Sequence, residues 1–452
     1  MTLFTEKDTA MTSPNTALEF VNHVGMLSES LNKEGAPGWL KAMRRQGLSR
    51  LKELPWPSVR DEEWKYTDIS PLTASVYALS TSAQLREKEA FLDYGNGDDI
   101  NIVFVNGFFS KDLSNMQAVP SGVVAMPLQD MEETSAASFQ ELFSKENLKG
   151  EDAFIALNEA LVRHGIYIAM DENVILRQLI HIVHITSTTG EMILTAPRTF
   201  LRLGRSSEVT ILESHVSFLD DNLYFADALT DIFLGENAVL HYCKAQKESL
   251  KAYHIGITRV RQDRNSVFDG FSLAAGGALT RHDLHVTVNG EGANARLNGF
   301  YSVSGSQHVD NHTCVDHCVP QGTSNQLYKG ILQGSGRAVF NGKILVRPIA
   351  QKTNSYQLNK NLLLGKDCRV DTKPQLEIFA DDVKCTHGAT IGQLNEDEIF
   401  YLQTRCIPRK TAVKLLVRGF ADDLLNTVHN PSVYQKLNKL LEPAFEALEC
   451  TG

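Results

Sequence analysis

From about residue 165 to 393 the chain breaks into short β-rich runs set apart by small or polar turns. VILRQLIHIVHI, SSEVTILESH, ENAVLHYCKA, NSVFDGFSL, GALTRHDLHVTVNG, NARLNGFYSV, GRAVFNGKILV, DCRVDTKPQLEIF and DVKCTHGATIG are such runs. Gly204, Gly235, Asn289-Gly290, Gly334 and Gly365 punctuate them at uneven intervals, so no strict repeat emerges. No helical period of useful length interrupts the series. A β-sandwich would also offer many short strands, but so long a run without a helix favours a β-solenoid. There each coil buries its face only by stacking on its neighbours.

The flanks read differently. Gly38 to Leu54 carries Trp39, Leu40, Met43, Leu48, Leu51 and Leu54 among basic residues, loosely the spacing of an amphipathic helix, until Pro55 and Pro57 break it. RDEEWKYTDISPL follows as a polar stretch. NIVFVNGFF, residues 101–109, predicts a hairpin turning at Asn106-Gly107. The polar stretch 132–152 reads as a loop or a solvated helix. At Asn395 a capping arrangement with Glu398 opens a helix bearing Ile399, Phe400 and Leu402. A second helix over 409–428 carries Val413, Leu416, Val417, Phe420, Leu424 and Val428, and a third runs from about 432 to 449. The division is a helical region 1–95, a mixed connection 96–164, a β core 165–393 and a helical C-terminal domain 394–452.

At 452 residues the length suggests about two or three domains. With 42% apolar and 22% charged residues the composition is that of a soluble globular protein. The 54 acidic against 44 basic residues, a formal charge of −10, argue against a nucleic-acid partner. Seven cysteines are too few for a disulfide scaffold in so long a chain, and free thiols in a reducing compartment are expected. MTLFTEKDTAMTSPNTALEF lacks the pattern of a secretory signal, and no window approaches a membrane helix. The expected location is cytoplasmic, with no membrane partner.

Two clusters carry candidate chemistry. In VKCTHGATI, alternation puts Val383, Cys385, His387, Ala389 and Ile391 on one face. That face is apolar, so core filling is one reading. A metal or sulfur site is the other: the two side chains leave the backbone about 6.6 Å apart, two strand rises. Two ligands do not close a tetrahedral site, so a second chain would have to complete it. In HVDNHTCVDHC, 308–318, a straight strand would align His308, Asp310, His312, Cys314, Asp316 and Cys318 on one face. His308, His312, Cys314 and Cys318 are candidate metal ligands, although a row along one strand is too spread out to converge. Polar rows of this kind also hydrogen-bond along stacked coils. GRAVFNGKI resembles a P-loop only superficially: five residues separate Gly336 from Gly342, and Ile344 stands where Ser or Thr must meet magnesium. No catalytic motif emerges, and no enzymatic activity is expected of this chain.

Four stretches resemble a known family: RDEEWKYTDISPL (60–72), FVNGFFS (104–110), FNGKILVRPIAQKTNSYQLNKNLLL (340–364) and DTKPQLEIFADDVKCTHGATIGQL (371–394). They are similar to the SufD family, a component of the SufBCD iron–sulfur cluster assembly complex. The resemblance spans essentially the whole chain from about residue 37. It implies a mainly β fold, a right-handed parallel β-helix flanked by helical N-terminal and C-terminal regions. It implies a heterodimer with the paralogous SufB scaffold through the β-helix, and binding of the SufC ATPase through the C-terminal helices. Ile399, Val413, Leu416, Val417 and Phe420 are the candidate SufC contacts. By the same resemblance His387 matches a histidine that holds the nascent cluster at the SufB–SufD interface, with Cys385 its neighbour. No cofactor would be bound stably by this chain alone; an Fe–S cluster or iron would pass through transiently in the complex, with a possible part in iron acquisition. Homodimerisation of the isolated chain is open. Cys406 in TRCIP stands where the family pattern has glycine, and Cys314 and Cys318 lie outside that pattern. The alternatives are the SufB scaffold itself, a carbohydrate-active β-helix enzyme, and a metal-binding protein using the 308–318 cluster.

Overall fold

The computed structural model describes residues 14–82, 99–142, 152–188 and 190–448. Its strands are β1 (Ala78–Leu79), β2 (Ile100–Val105), β3 (Phe108–Phe109), β4 (Val123–Pro127), β5 (Ile166–Met170), β6 (Ile180–Ile185), β7 (Ile193–Thr195), β8 (Arg198–Leu203), β9 (Glu208–Val216), β10 (Tyr224–Leu234) and β11 (Val239–Lys247). They continue with β12 (Tyr253–Gln262), β13 (Val267–Ala274), β14 (Leu279–Val288), β15 (Asn294–Val303), β16 (His308–His317), β17 (Thr323–Leu332), β18 (Arg337–Val346), β19 (Asn354–Leu363), β20 (Arg369–Ile378) and β21 (Lys384–Gly392). The helices are α1 (Pro14–Lys33), α2 (Gly38–Glu53), α3 (Ser70–Thr73), α4 (Glu133–Leu142), α5 (Ala153–Leu161), α6 (Glu396–Thr404), α7 (Arg409–Leu425) and α8 (Pro431–Glu446).

The strands wind into a parallel β-solenoid. Consecutive coils lay β5, β8, β10, β12, β14, β16, β18 and β20 side by side in one sheet. The second sheet holds β6, β9, β11, β13, β15, β17, β19 and β21. This parallel register excludes the sandwich. Seven of the eight corners leading from the first sheet to the second contain a residue with positive φ: Asn173 (62°), Ser206 (56°), Asn237 (55°), Asn265 (55°), Gly292 (71°), Gln321 (61°) and Lys352 (62°). Asn and Gly tolerate that left-handed geometry best. Six of these residues also donate to the next corner, among them the Ser206 N–H to the Glu236 carbonyl at 2.8 Å and the Asn237 N–H to that of Arg264 at 2.8 Å. Gly290 is fixed by crowding, since a Cβ there would fall 1.9 Å from the Arg264 nitrogen.

Along the middle coils both faces of both sheets are largely buried, which is why those strands read as near-continuous apolar runs. The interior holds one core, including Ile182, Leu201, Ile211, Leu240, Phe268, Val286 and Phe340. On the outer face of the first sheet, Phe225, Leu229, Ile255 and Ile257 pack under Phe154, Leu157 and Trp64 from the N-terminal region. On the outer face of the second, Leu212, Cys243, Phe271 and Phe300 pack under Val417, Leu424 and Leu437 of the C-terminal helices.

The hairpin at Asn106-Gly107 forms as expected, with β2 and β3 antiparallel and both turn residues at positive φ. The 132–152 stretch is neither loop nor wholly solvated where it is described: α4 buries Phe139 edge-on against Phe200. Residues 143–151 lie outside the described residues. The helix α5 follows at once, capped by Asp152, whose carboxylate accepts from the Phe154 N–H at 2.7 Å. Among the described residues no helix is long and apolar enough to cross a membrane.

Candidate functional site: the uncovered last coil

β20 and β21 end the two sheets, each paired on one side only. In β21, Cys385 is in register with Ser355 and His387 with Gln357. Ser355 and Gln357 are buried inside the solenoid, so the Cys/His row is its inner face. Among the described residues no further coil covers that face. Cys385 is therefore half-buried against Ile344, Val346, Ala350 and Ala380, and His387 is exposed. Core filling describes Cys385 in part and His387 not at all. Burial raises the Cys385 thiol pKa, countered by a backbone hydrogen bond at Ser355.

Beneath the pair the interior turns polar. The His317 Nε2 lies 3.0 Å from the Ser324 hydroxyl, which sits 2.5 Å from that of Ser355, the residue under Cys385. Gln326, Gln357 and His387 form a second stack in register. Both side-chain polar atoms of Gln357 are buried without a hydrogen-bond partner. The same coil also exposes Ile378, Phe379 and Ile391. An uncovered coil thus presents two unpaired strand edges, apolar side chains and one accessible imidazole.

The 308–318 row lies elsewhere, on the outer face of the first sheet. His308, Asp310, His312 and Cys314 do share that face, while Val309, Thr313, Val315 and His317 point inward. The strand ends at His317, so Cys318 falls outside the row and contacts the Asp316 carbonyl through its sulfur at 3.7 Å. The row is a seat for the N-terminal segment. Asp310 accepts from the Thr67 hydroxyl at 2.6 Å and from Arg281 at 2.9 Å. His308 meets Thr67 at 3.0 Å, and His312 bridges Asp310 at 2.9 Å and Glu63 at 3.3 Å. Lys373 pairs with Glu62. Arg281 stands at the centre, bidentate on Asp283 at 2.8 and 3.0 Å and stacked 3.7 Å from the Trp64 ring centroid. A cavity of about 620 Å³ opens beside it, lined among others by Asp283, His285, His312, Cys314 and Lys343. His308, His312, Cys314 and Cys318 do not converge on a common point. The only group of three candidate ligand atoms within 4.8 Å among the described residues is His184, Glu213 and His215. Sequence reasoning passed over that group, and it passed over Arg281 and Glu63 as well.

Burial alone would hold the His312 pKa down, but the Asp310 carboxylate overcomes it, and together with hydrogen bonds to Asp310 and Glu63 pushes it up to about 9. A raised histidine contributes stability that is complete below its unfolded value near 6.5 and lost as pH climbs through about 9. Unfolding free energies from urea titrations across that window should fall by up to about 3 kcal/mol more in the wild type than in His312→Gln. Equal slopes for the two proteins would refute this ion pair's contribution.

The C-terminal helices correct one expectation. Ile399, Val413 and Val417 are buried inside this chain's own packing, and Leu416 and Phe420 are half-buried against it. The amphipathic stripe that suggested a partner faces the solenoid. Lys329 fastens it there, donating to the Phe420 carbonyl at 3.0 Å and pairing with Asp423. What these helices leave in water is Phe400, Tyr401 and Leu415. Cys406, with φ 62°, is the left-handed residue that ends α6, a position where glycine is least strained. The Cys406 N–H donates to the Gln403 carbonyl at 3.0 Å and the Ile407 N–H to that of Leu402 at 3.3 Å.

Fold and site together define a β-solenoid protein with a helical cover on each outer face and an accessible cysteine–histidine pair on its last coil. The chain belongs to the SufBD family of iron–sulfur cluster assembly proteins. Residues 184–420 match the SufBD core domain of the SUF system and residues 23–182 the SufBD N-terminal region. A SufBD family iron–sulfur cluster assembly protein of Synechocystis is 32% identical over 95% of this chain and 97% of its own length. The iron–sulfur cluster assembly protein SufD of Escherichia coli is 32% identical over 87% of this chain and 90% of its own length. The chloroplast protein ABCI7 of Arabidopsis thaliana is 31% identical over 87% and 84%. The first two are named for the general role, iron–sulfur cluster assembly.

Proposed function

We propose that this chain is the SufD-type subunit, without ATPase or other catalytic activity of its own, that pairs through its uncovered coil with a SufB scaffold. The observation that carries this reading is the exposed His387 on an inner face that no further coil covers. A neutral imidazole suits iron, and two unpaired strand edges suit a partner that continues the sheets. The nascent cluster is cargo held where the two subunits meet, His387 supplying one ligand, the scaffold a cysteine, and Cys385 standing beside them. Iron acquisition would pass through the same imidazole. The helices α6 to α8 engage a SufC ATPase, whose ATP-driven dimerisation pulls on them and shifts the interface, baring the ligands.

The test is co-expression with the SufB and SufC partners, with stoichiometry, bound iron and sulfide measured on the purified complex. His387→Ala should leave the complex intact and abolish bound cluster. Undiminished cluster in an intact complex would sink the ligand role. When the paralogue is missing, the same coil is free to meet a second copy of this chain, and the sedimentation of the isolated protein reads that out.

A further inference from the structure

Inside the first coils, far in sequence from His387, lies a polar group that the assembly reading does not use. His184 on β6 and His215 on β9 are in register, one coil apart, and Glu213 stands two residues before His215 on the same inner face. All three are at most 5% exposed. The imidazole rings stack 4.7 Å apart at an interplanar angle of 16°. The His184 Nε2 lies 3.2 Å from Glu213 Oε1, and the His215 Nε2 lies 3.8 Å from the same oxygen. All three ligand atoms fall within 4.8 Å of one another.

We infer that His184, Glu213 and His215 form a buried site for a divalent first-row transition-metal ion. Donors sharing an ion at about 2.0–2.1 Å sit about 3.0 Å apart at a right angle and at most about 4.2 Å apart. The separations of 3.2 and 3.8 Å belong to that range. Two imidazoles and one carboxylate are the donor set that Fe²⁺, Zn²⁺ or Co²⁺ favours over Mg²⁺ or Ca²⁺. The carboxylate is already held by a second layer. Thr199 donates to Oε1 at 2.9 Å, and Thr230 and Tyr242 donate to Oε2 at 2.9 and 2.6 Å. Such outer partners orient a ligating carboxylate. The His215 Nε2 is buried without a hydrogen-bond partner, an expensive vacancy for a nitrogen that serves no ligand.

Lys244 on β11 is in register with Glu213 and is the competing explanation, a buried counter-ion for that carboxylate. Its Nζ makes no hydrogen bond to Glu213, and a counter-ion would leave the His215 nitrogen idle. An ion there ties two adjacent coils together near the start of the solenoid.

The experiment uses the full chain, produced in medium supplemented with cobalt and purified without its partners. Metal content is measured after exhaustive dialysis against EDTA, and coordination by X-ray absorption. The expected result is one retained ion per chain with imidazole and oxygen ligands. Retention should disappear in His215→Gln and persist in His387→Ala. A folded wild-type chain that retains no ion overturns the proposal, whatever the variants do. So does an ion that survives His215→Gln with the circular dichroism unchanged.

Discussion

Replacing Arg281 with alanine should unseat the N-terminal segment and lower the unfolding free energy by about 3–5 kcal/mol, the range for breaking one partner out of a buried ion pair. The size follows from what the guanidinium leaves behind. Asp283 and Asp310 would lose 2.8–3.0 Å bonds while only 8% and 1% exposed. The Glu63 carbonyl would lose a donor at 2.7 Å, and Trp64 the cation stacked on its ring. Arg281→Lys should recover only part of this, because a point ammonium cannot serve Asp283 through two parallel bonds and Asp310 through a third. Removing the charges together, as Arg281→Met with Asp283→Asn and Asp310→Asn, should recover more than the single alanine. Denaturant midpoints rank the three. Protease cutting within 55–70 should accelerate in Arg281→Ala before global unfolding, since that segment is held to the sheet at this point. A loss below about 1 kcal/mol would show that the ion pairs do not hold the cover.

The solenoid was legible because its signal is repeated: nine β-rich runs with turns between them leave few other folds. The helix α5 was not, because it is buried on every side. Phe154, Ile155, Ala156, Leu157, Ala160 and Leu161 are all within the core, so no polar face marks a helical period. Alternation placed Cys385 and His387 on one face, and the register turns that face inward, over Ser355 and Gln357. What alternation cannot contain is whether another coil follows to cover that face, and this decides that His387 is exposed. The same limit applies to the stripe on α6 and α7. An apolar stripe at helical spacing announces that something is packed against it, without saying whether that is the chain's own sheet or another protein. The 308–318 row was visible as a cluster, but Glu63 and Thr67 come from about 240 residues away in sequence, so its role as a seat for RDEEWKYTD required the fold. His184, Glu213 and His215 were hidden inside runs that read simply as strand, since a polar residue at an inward position is indistinguishable by period alone from one at an outward position.

Two pairs of substitutions should separate the two partner surfaces that the proposed function requires. Phe400→Glu with Tyr401→Glu should abolish co-purification with the ATPase partner and spare the scaffold paralogue. Phe379→Glu with Ile391→Glu should do the reverse. Phe400 and Tyr401 are 66% and 58% exposed on α6, and Phe379 and Ile391 are 62% and 48% exposed on the last coil. None of the four holds this chain together, so the glutamates should leave the melting temperature within a few degrees of wild type. Each buried aromatic anchor at an interface is worth about 2 kcal/mol or more on truncation, and a carboxylate stranded in its place adds a desolvation cost. A pair should therefore weaken its own interface by upwards of about a thousandfold, beyond what co-purification tolerates. The buried stripe supplies the contrast: Val417→Glu should destabilise the isolated chain itself, because Val417 is 0% exposed beneath α7. If both exposed pairs release the same partner, the last coil and α6 form one continuous surface and the division of labour between them is wrong. If neither pair releases anything, the partners bind elsewhere, and the exposed aromatics of α6 and the open edge of the solenoid are not their docking sites.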